Sequence, residues 1–265
     1  ENTIIIGSYD GSHGLVYRTT DDGFSYSEGV SAGSQPLYSL VLSPDYENDG
    51  TILTGNTDGW VYWSSDNGTS FQALPGDATS PPLTGSITVA FDPEFKTNHT
   101  VYAASSTVNS GLYRFIIGRS TDWESIDDTL LAGAMVNQLA INDSGTLYAA
   151  NSDADGGMER SLNPTYISGP TFETITRGLS EGATLCGLWQ SDRHLWSVDT
   201  THCKLMTFYD TLTSPPTPVS PDNGAPGIGI LIDKTVRNII LDWETMAGAT
   251  NYRWQCDYDA DFSSI

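Results

Sequence analysis

The chain has 265 residues, of which 26 are glycine, 13 are proline and 11% are aromatic, and this composition suits a globular all-β protein. Its 33 acidic residues outnumber 11 basic ones, which gives a formal net charge of −22. Phosphate backbones and anionic membrane surfaces would be repelled by this charge, so we expect no nucleic-acid partner. No apolar run approaches the ~18 residues of a membrane span, so we expect no membrane-spanning helix in this segment.

The first elements in chain order are three short strands, predicted at 2–7, 14–18 and 25–30. A fuller unit follows over 41–74. The apolar run 37–43, which overlaps its start, stops at Pro44, whose missing N–H ends a sheet ladder. Strands are predicted at 37–43, 51–54 and 60–63, because Asp58-Gly59 supplies the positive φ of a tight hairpin. The unit is therefore a four-stranded module, and the first copy of it lacks its innermost strand.

The octet at 64–71, Ser-Ser-Asp-Asn-Gly-Thr-Ser-Phe, closes the last hairpin of this unit, and a second copy occupies 19–26. In such a loop the carboxylate accepts the loop's own N–H groups, glycine takes the left-handed position, and the aromatic side chain folds back underneath. The octets assign this structural role to eight residues, which are Thr19, Asp21, Gly23, Tyr26, Ser64, Asp66, Gly68 and Phe71.

A strand signature of threonine followed by an apolar residue recurs at Thr3, Thr51, Thr100 and Thr146, with spacings of 48, 49 and 46 residues. A period of this length with four short strands per unit is typical of a β-propeller blade. Later strands are predicted at 87–91, 101–104, 111–115, 135–142, 146–150, 158–162, 172–175, 184–190, 195–199 and 205–209. The sequence therefore predicts an all-β chain with a partial propeller over 1–212, of about five blades with the first and last incomplete. We expect the missing strands to lie outside this chain.

A proline-rich linker is predicted at 213–218, and a new pattern begins at 219. Alternating apolar residues around Trp243, then a turn and a second aromatic stretch, indicate the first part of a β-sandwich over 219–265. Such a module needs about 100 residues, so it is predicted to be truncated here.

The first two repeats resemble the Asp-box (BNR) repeat propellers, a sialidase-like superfamily that includes xyloglucanases, sortilin-type receptor domains and photosystem assembly factors. The tail is similar to fibronectin type III or Ig-like modules of microbial surface proteins. The resemblance implies that the Asp box is structural and lies on the rim away from the catalytic face. It also implies an arginine clamp in sialidases, but Arg18, Arg114 and Arg160 share one repeat position at the end of the third strand. We therefore expect these arginines to be structural.

Five residues are predicted to lie on the opposite rim, in the turns between second and third strands: Asp10, His13, Asp58, Asp153 and Asp155. We expect any cation or polar glycan to bind there. Asp153 and Asp155 are the calcium candidates, with an ordinary loop as the alternative, and no other cofactor is expected. Three glycosylation sequons begin at Asn67, Asn98 and Asn142, as in an exported protein. Cys186 and Cys203 share one repeat, and whether they form a disulfide is left open.

These features lead to the hypothesis of a non-catalytic segment of a large extracellular cell-surface protein, acting as scaffold or adhesive module in a surface layer, sheath or similar assembly. Its partners would be other surface-protein subunits or glycans. One alternative is a glycoside hydrolase of the sialidase or xyloglucanase type, which needs two carboxylates ~5 to 9 Å apart. Another is a receptor-like propeller that binds a protein or glycan ligand.

Overall fold

The computed structural model describes residues 3–166, 169–212, 216–220, 240–246, 249 and 252. Within these residues the propeller region forms five antiparallel sheets, which we call blades I to V. Blade I contains β1 (Ile4–Tyr9), β2 (Gly14–Thr19) and β3 (Val30–Ser31). Blade II contains β4 (Leu37–Leu42), β5 (Ile52–Asn56), β6 (Val61–Ser64) and β7 (Gln72–Ala73). The all-β partial propeller predicted from the repeat period is confirmed.

The next two blades also have four strands each. Blade III contains β8 (Ile87–Phe91), β9 (Thr100–Ser105), β10 (Leu112–Ile116) and β11 (Glu124–Ser125). Blade IV contains β12 (Val136–Ile141), β13 (Leu147–Asn151), β14 (Met158–Ser161) and β15 (Glu173–Ile175). Blade V contains β16 (Leu185–Ser191), β17 (His194–Asp199) and β18 (Lys204–Tyr209), with no fourth strand among the described residues.

Two single-turn helices, α1 (Tyr46–Asp49) and α2 (Phe95–Asn98), are the helices of the described residues, and each joins the first strand of a blade to the second. Both end at a left-handed residue, Gly50 or His99, whose N–H bonds back four residues and stops the helix. Neither is long and apolar enough to cross a membrane.

The predicted fourth strand of blade I, at 25–30, begins too early. The structure has only Val30–Ser31 there, because the Ser27 N–H donates to the Arg18 carbonyl and its hydroxyl accepts from the Arg18 N–H. The Ser25 N–H and hydroxyl likewise donate to the Asp21 carboxylate. Hydrogen bonds within the loop therefore occupy groups that a longer strand would need for pairing.

The hydrophobic core lies between adjacent sheets. Leu53 and Val61 of blade II pack against Val89 and Val101 of blade III. Equivalent clusters join blade III to blade IV and blade IV to blade V. Since each sheet buries both faces only when it has a neighbour on each side, the blades stabilise one another in sequence.

Two buried arginines tie blade III to blade IV and blade IV to blade V. Arg114 of β10 makes three hydrogen bonds to Glu124 of the neighbouring strand through its Nε and Nη2. Its Nη1 donates to the carbonyls of Pro164 (3.0 Å) and Tyr166 (3.3 Å) in blade IV. Arg160 of β14 donates from Nη2 to Glu173 of the neighbouring strand, and its Nη1 donates to the Asp210 carboxylate and the Leu212 carbonyl (3.3 Å) in blade V. The arginines sit 50 and 52 residues before their partners in both cases. We call these the arginine ties.

In the tail, β19 (Pro218–Ser220) pairs antiparallel with β20 (Asp242–Trp243). The remainder of the predicted sandwich over 219–265 and most of the linker lie outside the described residues, so the predicted domain boundaries remain predictions.

Candidate functional site

The turns between the second and third strands lie at one end of every sheet, because all blades share the same antiparallel order. We call this end the upper rim. The five predicted ligand residues all lie in these turns. Asp10 and His13 are in blade I, Asp58 is in blade II, and Asp153 and Asp155 are in blade IV. The structure therefore distributes them over three blades.

Asp10 and His13 form a local pair. The Asp10 carboxylate accepts the N–H groups of Ser12 and His13, both at 2.7 Å, and lies 3.7 Å from the His13 Nδ1. These two backbone donors hold the pKa of Asp10 below its ordinary value. The carboxylate thus stays charged and exposed at the surface of the rim.

Asp155 is engaged in holding its own turn to the next blade. Its carboxylate accepts the Gly182 N–H at 2.6 Å, and its own N–H donates to the Ala183 carbonyl. Asp153 donates its N–H to the Asn151 side chain at the start of the same turn. Across the described ranges, no three His, Cys, Asp or Glu side chains gather as a metal site. The calcium assignment of Asp153 and Asp155 remains a prediction.

The two octet loops lie at the opposite end of the sheets, which we call the lower rim, and we refer to these loops as Asp boxes only for their likeness to that motif. Asp66 accepts the Ser64 hydroxyl at 2.7 Å, the Thr69 and Ser70 N–H groups at 3.0 Å, and the Ser70 hydroxyl at 2.6 Å. Gly68 has a φ of 81° and lies over Phe71. The second box repeats this geometry, with Asp21 accepting Thr19 and Ser25, Gly23 at φ 89°, and Tyr26 beneath it. Both boxes close a loop by satisfying its donors internally.

These hydrogen bonds keep both carboxylates ionised. Bonds from Thr19 and Ser25 lower the pKa of Asp21 to about 2. At Asp66 partial burial opposes ionisation, yet bonds from Ser70, Ser64 and Thr69 outweigh it and hold the pKa far below the ordinary range. Each carboxylate is therefore a fixed acceptor of its own loop.

The innermost strands β4, β8, β12 and β16 line the axis of the propeller. Their side chains include no Asp, Glu, Lys, Arg or His. The exposed Tyr38 and Cys186 occupy equivalent positions on β4 and β16. Burial raises the pKa of Tyr38, and the nearby Cys186 thiol adds to the rise. The described part of the axis thus presents neutral polar and apolar groups.

Cys186 and Cys203 are both free and exposed. Cys186 lies on β16 and Cys203 precedes β18, so β17 separates them. The intervening strand explains why the two thiols do not form a disulfide.

The three sequon asparagines differ in exposure. Asn67 lies in the octet loop of blade II and is exposed, although its side chain packs on Gly50. The Asn98 amide donates to buried Asp92 at 2.7 Å. Asn142 is buried and accepts the Ser144 and Thr146 N–H groups. A glycan on Asn98 or Asn142 would have to displace these bonds, so Asn67 fits the modification best.

Sequence reasoning missed Glu159, a fully buried carboxyl group on β14. It occupies the repeat position of Tyr17, Tyr62 and Tyr113, and comparing the repeats could have shown it. Its Oε2 accepts the Thr174 hydroxyl at 2.9 Å, while Oε1 has no hydrogen bond of normal geometry. Burial raises its pKa, and polar groups of Thr174, Leu131 and Asn151 offset only part of the rise.

We expect Glu159→Gln to stabilise the chain at pH 8. A carboxyl group whose folded-state pKa is raised favours the folded state at low pH, and this contribution is lost as pH rises through the folded pKa. The amide cannot ionise, so Tm should rise by about 2–4 °C at pH 8 and the difference should close near pH 4. Thermal unfolding followed by circular dichroism at both values checks this, with exposed Glu181→Gln as the control. Equal Tm values for both variants at pH 8 would contradict it.

The repeated four-stranded sheets and their axial order define a β-propeller. A structure described as YCF48 bound to D1 peptide aligns with a TM-score of 0.51 and 17% identity, over 76% of this chain and 59% of that one. The GH74 xyloglucanase from Xanthomonas campestris aligns with a TM-score of 0.60 and 15% identity, over 80% of this chain and 36% of that one. The chain thus spans less than two thirds of either structure, and identities this low show the fold alone. No family model and no curated protein matches the sequence.

Proposed function

We propose that this chain is a non-catalytic propeller segment of an exported cell-surface protein, which serves as scaffold or adhesive module and contacts protein subunits or glycans. The observation that carries the proposal is the location of its charged groups. Arg114 and Arg160 are buried in ties between blades, while the four described innermost strands have no ionisable acid or base other than Tyr38 and Cys186. The buried charged side chains therefore stabilise the contacts between blades, and the exposed ones lie on the rims.

A glycoside hydrolase would need a pair of carboxylates facing the substrate, one of them able to donate a proton. The described carboxyl group with a raised pKa is Glu159, and it is buried between blades without access to a substrate. The carboxylates of the upper rim belong to three different blades, and two of them, Asp10 and Asp155, are engaged by backbone N–H groups. These features favour binding over hydrolysis.

The exported location rests on the sequon at exposed Asn67 and on the resemblance to surface-protein modules. The strong negative charge also suits a protein that must stay soluble at a crowded surface. Expression in a glycosylating host, followed by peptide mass spectrometry, should find glycan on Asn67. An unmodified Asn67 in secreted protein would remove this part of the argument.

The functional test is incubation of the purified chain with xyloglucan, other β-glucans and sialosides, with reducing-sugar release and isothermal titration as parallel readouts. We expect no turnover, and any binding should weaken in the Asp58→Asn variant on the exposed upper rim, with exposed Asp77→Asn as the matched control. Turnover lost on replacing a carboxylate pair of the upper rim would overturn the proposal.

A further inference from the structure

The upper rim carries an exposed patch between blades III and IV. Three segments form it, namely the β9–β10 turn (106–111), the loop from blade III to blade IV (126–135) and the β13–β14 turn (152–157). We call these three segments the rim patch. Both blades have a sheet packed on each side, so the exposure of the patch is not that of a sheet without its neighbour.

Hydrogen bonds fasten the loop of the rim patch to the turn on either side. Asn109 of the β9–β10 turn donates its N–H to the Ala134 carbonyl (3.1 Å), and its Oδ1 accepts the Gly133 N–H (2.8 Å). On the other side, the N–H and the hydroxyl of Ser152 both donate to the Met135 carbonyl. The three segments therefore form one pre-organised surface, which a partner can bind with little ordering cost.

Two apolar side chains are exposed on this surface. Val108 is 52% exposed and Leu131 is 42% exposed, and Ala132 next to Leu131 is exposed as well. Among the loops of blades II to IV that the structure describes, no other large apolar side chain is exposed. Single exposed apolar residues are common, but Val108 adjoins Asn109 and Leu131 lies in the loop that Asn109 holds. An apolar patch assembled in this way marks an interaction surface.

The charge of the rim patch is entirely negative. Its segments contain no lysine, arginine or histidine but four aspartates, which are Asp127, Asp128, Asp153 and Asp155. Asp127 and Asp155 accept hydrogen bonds within the rim. The Asp128 and Asp153 carboxylates have no hydrogen-bond or ion-pair partner among the described residues, and Asp153 lies beside Gly133 of the loop. These two carboxylates are therefore free to pair with cations of a partner.

From the apolar pair and the free carboxylates, we infer that the rim patch binds a basic polypeptide segment in which an apolar side chain lies between lysines or arginines. The apolar side chain packs on Val108 and Leu131, and the basic side chains pair with Asp128 and Asp153. A neutral sugar chain fits less well, because the patch has no aromatic ring on which a sugar could stack. The inference deepens the proposed function and rests on it, since it names the chemistry of the protein partner.

The test is fluorescence anisotropy with the full 265-residue chain and the labelled peptide Gly-Lys-Leu-Lys-Lys-Leu-Lys-Gly, with EDTA present to remove calcium. At about 50 mM NaCl we expect saturable binding with a Kd of about 10–100 µM, weakened about tenfold at about 500 mM NaCl. A second peptide with serine in place of both leucines should bind at least about fivefold more weakly. Binding that does not saturate up to about 500 µM protein would overturn the inference.

Two variants test the apolar contact. Leu131→Ser and Val108→Ser should each weaken binding of the leucine peptide at least about threefold, because part of the apolar area that the peptide covers is lost. Both should leave the weak binding of the serine peptide unchanged. Both side chains are exposed, so the variants should keep Tm within about 2 °C of the unmodified chain. Unchanged binding of the leucine peptide in both folded variants would overturn the inference.

A pair of double variants tests the charges. Asp128→Asn combined with Asp153→Asn should weaken peptide binding about tenfold. Asp122→Asn combined with Asp143→Asn is the matched control, because these exposed aspartates lie on the lower rim of the same two blades. The control removes the same charge and should weaken binding less than about twofold. Equal weakening by both double variants would show a general attraction to an acidic chain and would overturn the inference.

An uncharged xyloglucan oligosaccharide serves as the competitor. We expect it to leave the peptide bound, and displacement of the peptide would overturn the inference and assign the rim patch to glycans. Hydrolysis of the oligosaccharide would refute the proposed function, yet peptide binding that depends on Leu131 and Asp128 would stand. The two failures are therefore distinguishable.

Discussion

Replacing Arg160 with methionine should lower the free energy of unfolding by about 3–5 kcal/mol. The guanidinium is buried and joins Glu173 of its own blade to Asp210 of the next one, and Asp210 is itself almost completely buried. Methionine keeps much of the side-chain volume but leaves the Asp210 carboxylate without its cation. The large loss follows because an uncompensated buried charge costs more than the ion pair contributes.

Urea unfolding of the variant measures this loss, and Arg119→Met is the matched control because Arg119 is exposed. The control should lie within about 0.5 kcal/mol of the unmodified chain. Adding Asp210→Asn to Arg160→Met should recover part of the loss, since the stranded charge is then removed. A cost for Arg160→Met no larger than that of the control would show that the ties contribute nothing to stability.

Replacing Asp66 with alanine should cost about 2–3 kcal/mol at neutral pH. The side chain accepts two hydroxyl groups and two backbone N–H groups, so its removal opens the lower-rim loop of blade II. A carboxyl group with a depressed pKa contributes stability above its unfolded pKa, and the contribution is lost as pH falls through the folded value. The difference between the variant and the unmodified chain should therefore shrink below about pH 4.

Thermal unfolding at pH 7 and pH 3 checks both parts of this expectation. Asp77→Ala is the control, because Asp77 is an exposed aspartate in the same blade. Asp66→Ala should lower Tm at pH 7 by about 4–12 °C, well beyond the control. A Tm difference that stays constant down to pH 3 would contradict the role assigned to the ionised carboxylate.

The Asp boxes were predictable because their physics is local. All four donors lie within four residues of Asp66, so the order of Ser, Asp, Gly and aromatic residues already specifies the loop. The blade period was predictable for a similar reason, since each short strand carries its own apolar pattern. The fourth strand of blade I was misplaced because a serine pairing across nine residues does not show in a strand pattern.

The arginine ties were only half predictable. Their shared place at the end of the third strand indicated a structural role, but the partners of Arg114 lie 50 and 52 residues further along the chain. Contacts across a blade boundary depend on how two sheets stack, and no single repeat contains that information. The same reason explains why Glu159 was missed, since its burial comes from the preceding blade.

The arginine ties also have a direction. In both, the arginine precedes its partners in the next blade along the chain, so the side chain of an earlier blade holds a loop of the later one. During synthesis from the amino terminus, the blade with the arginine leaves the ribosome before the loop that it will hold. Blades IV and V can therefore pack onto a preceding sheet that already presents its arginine. The order in which these repeats are synthesised is therefore also the order in which the arginines can fasten them.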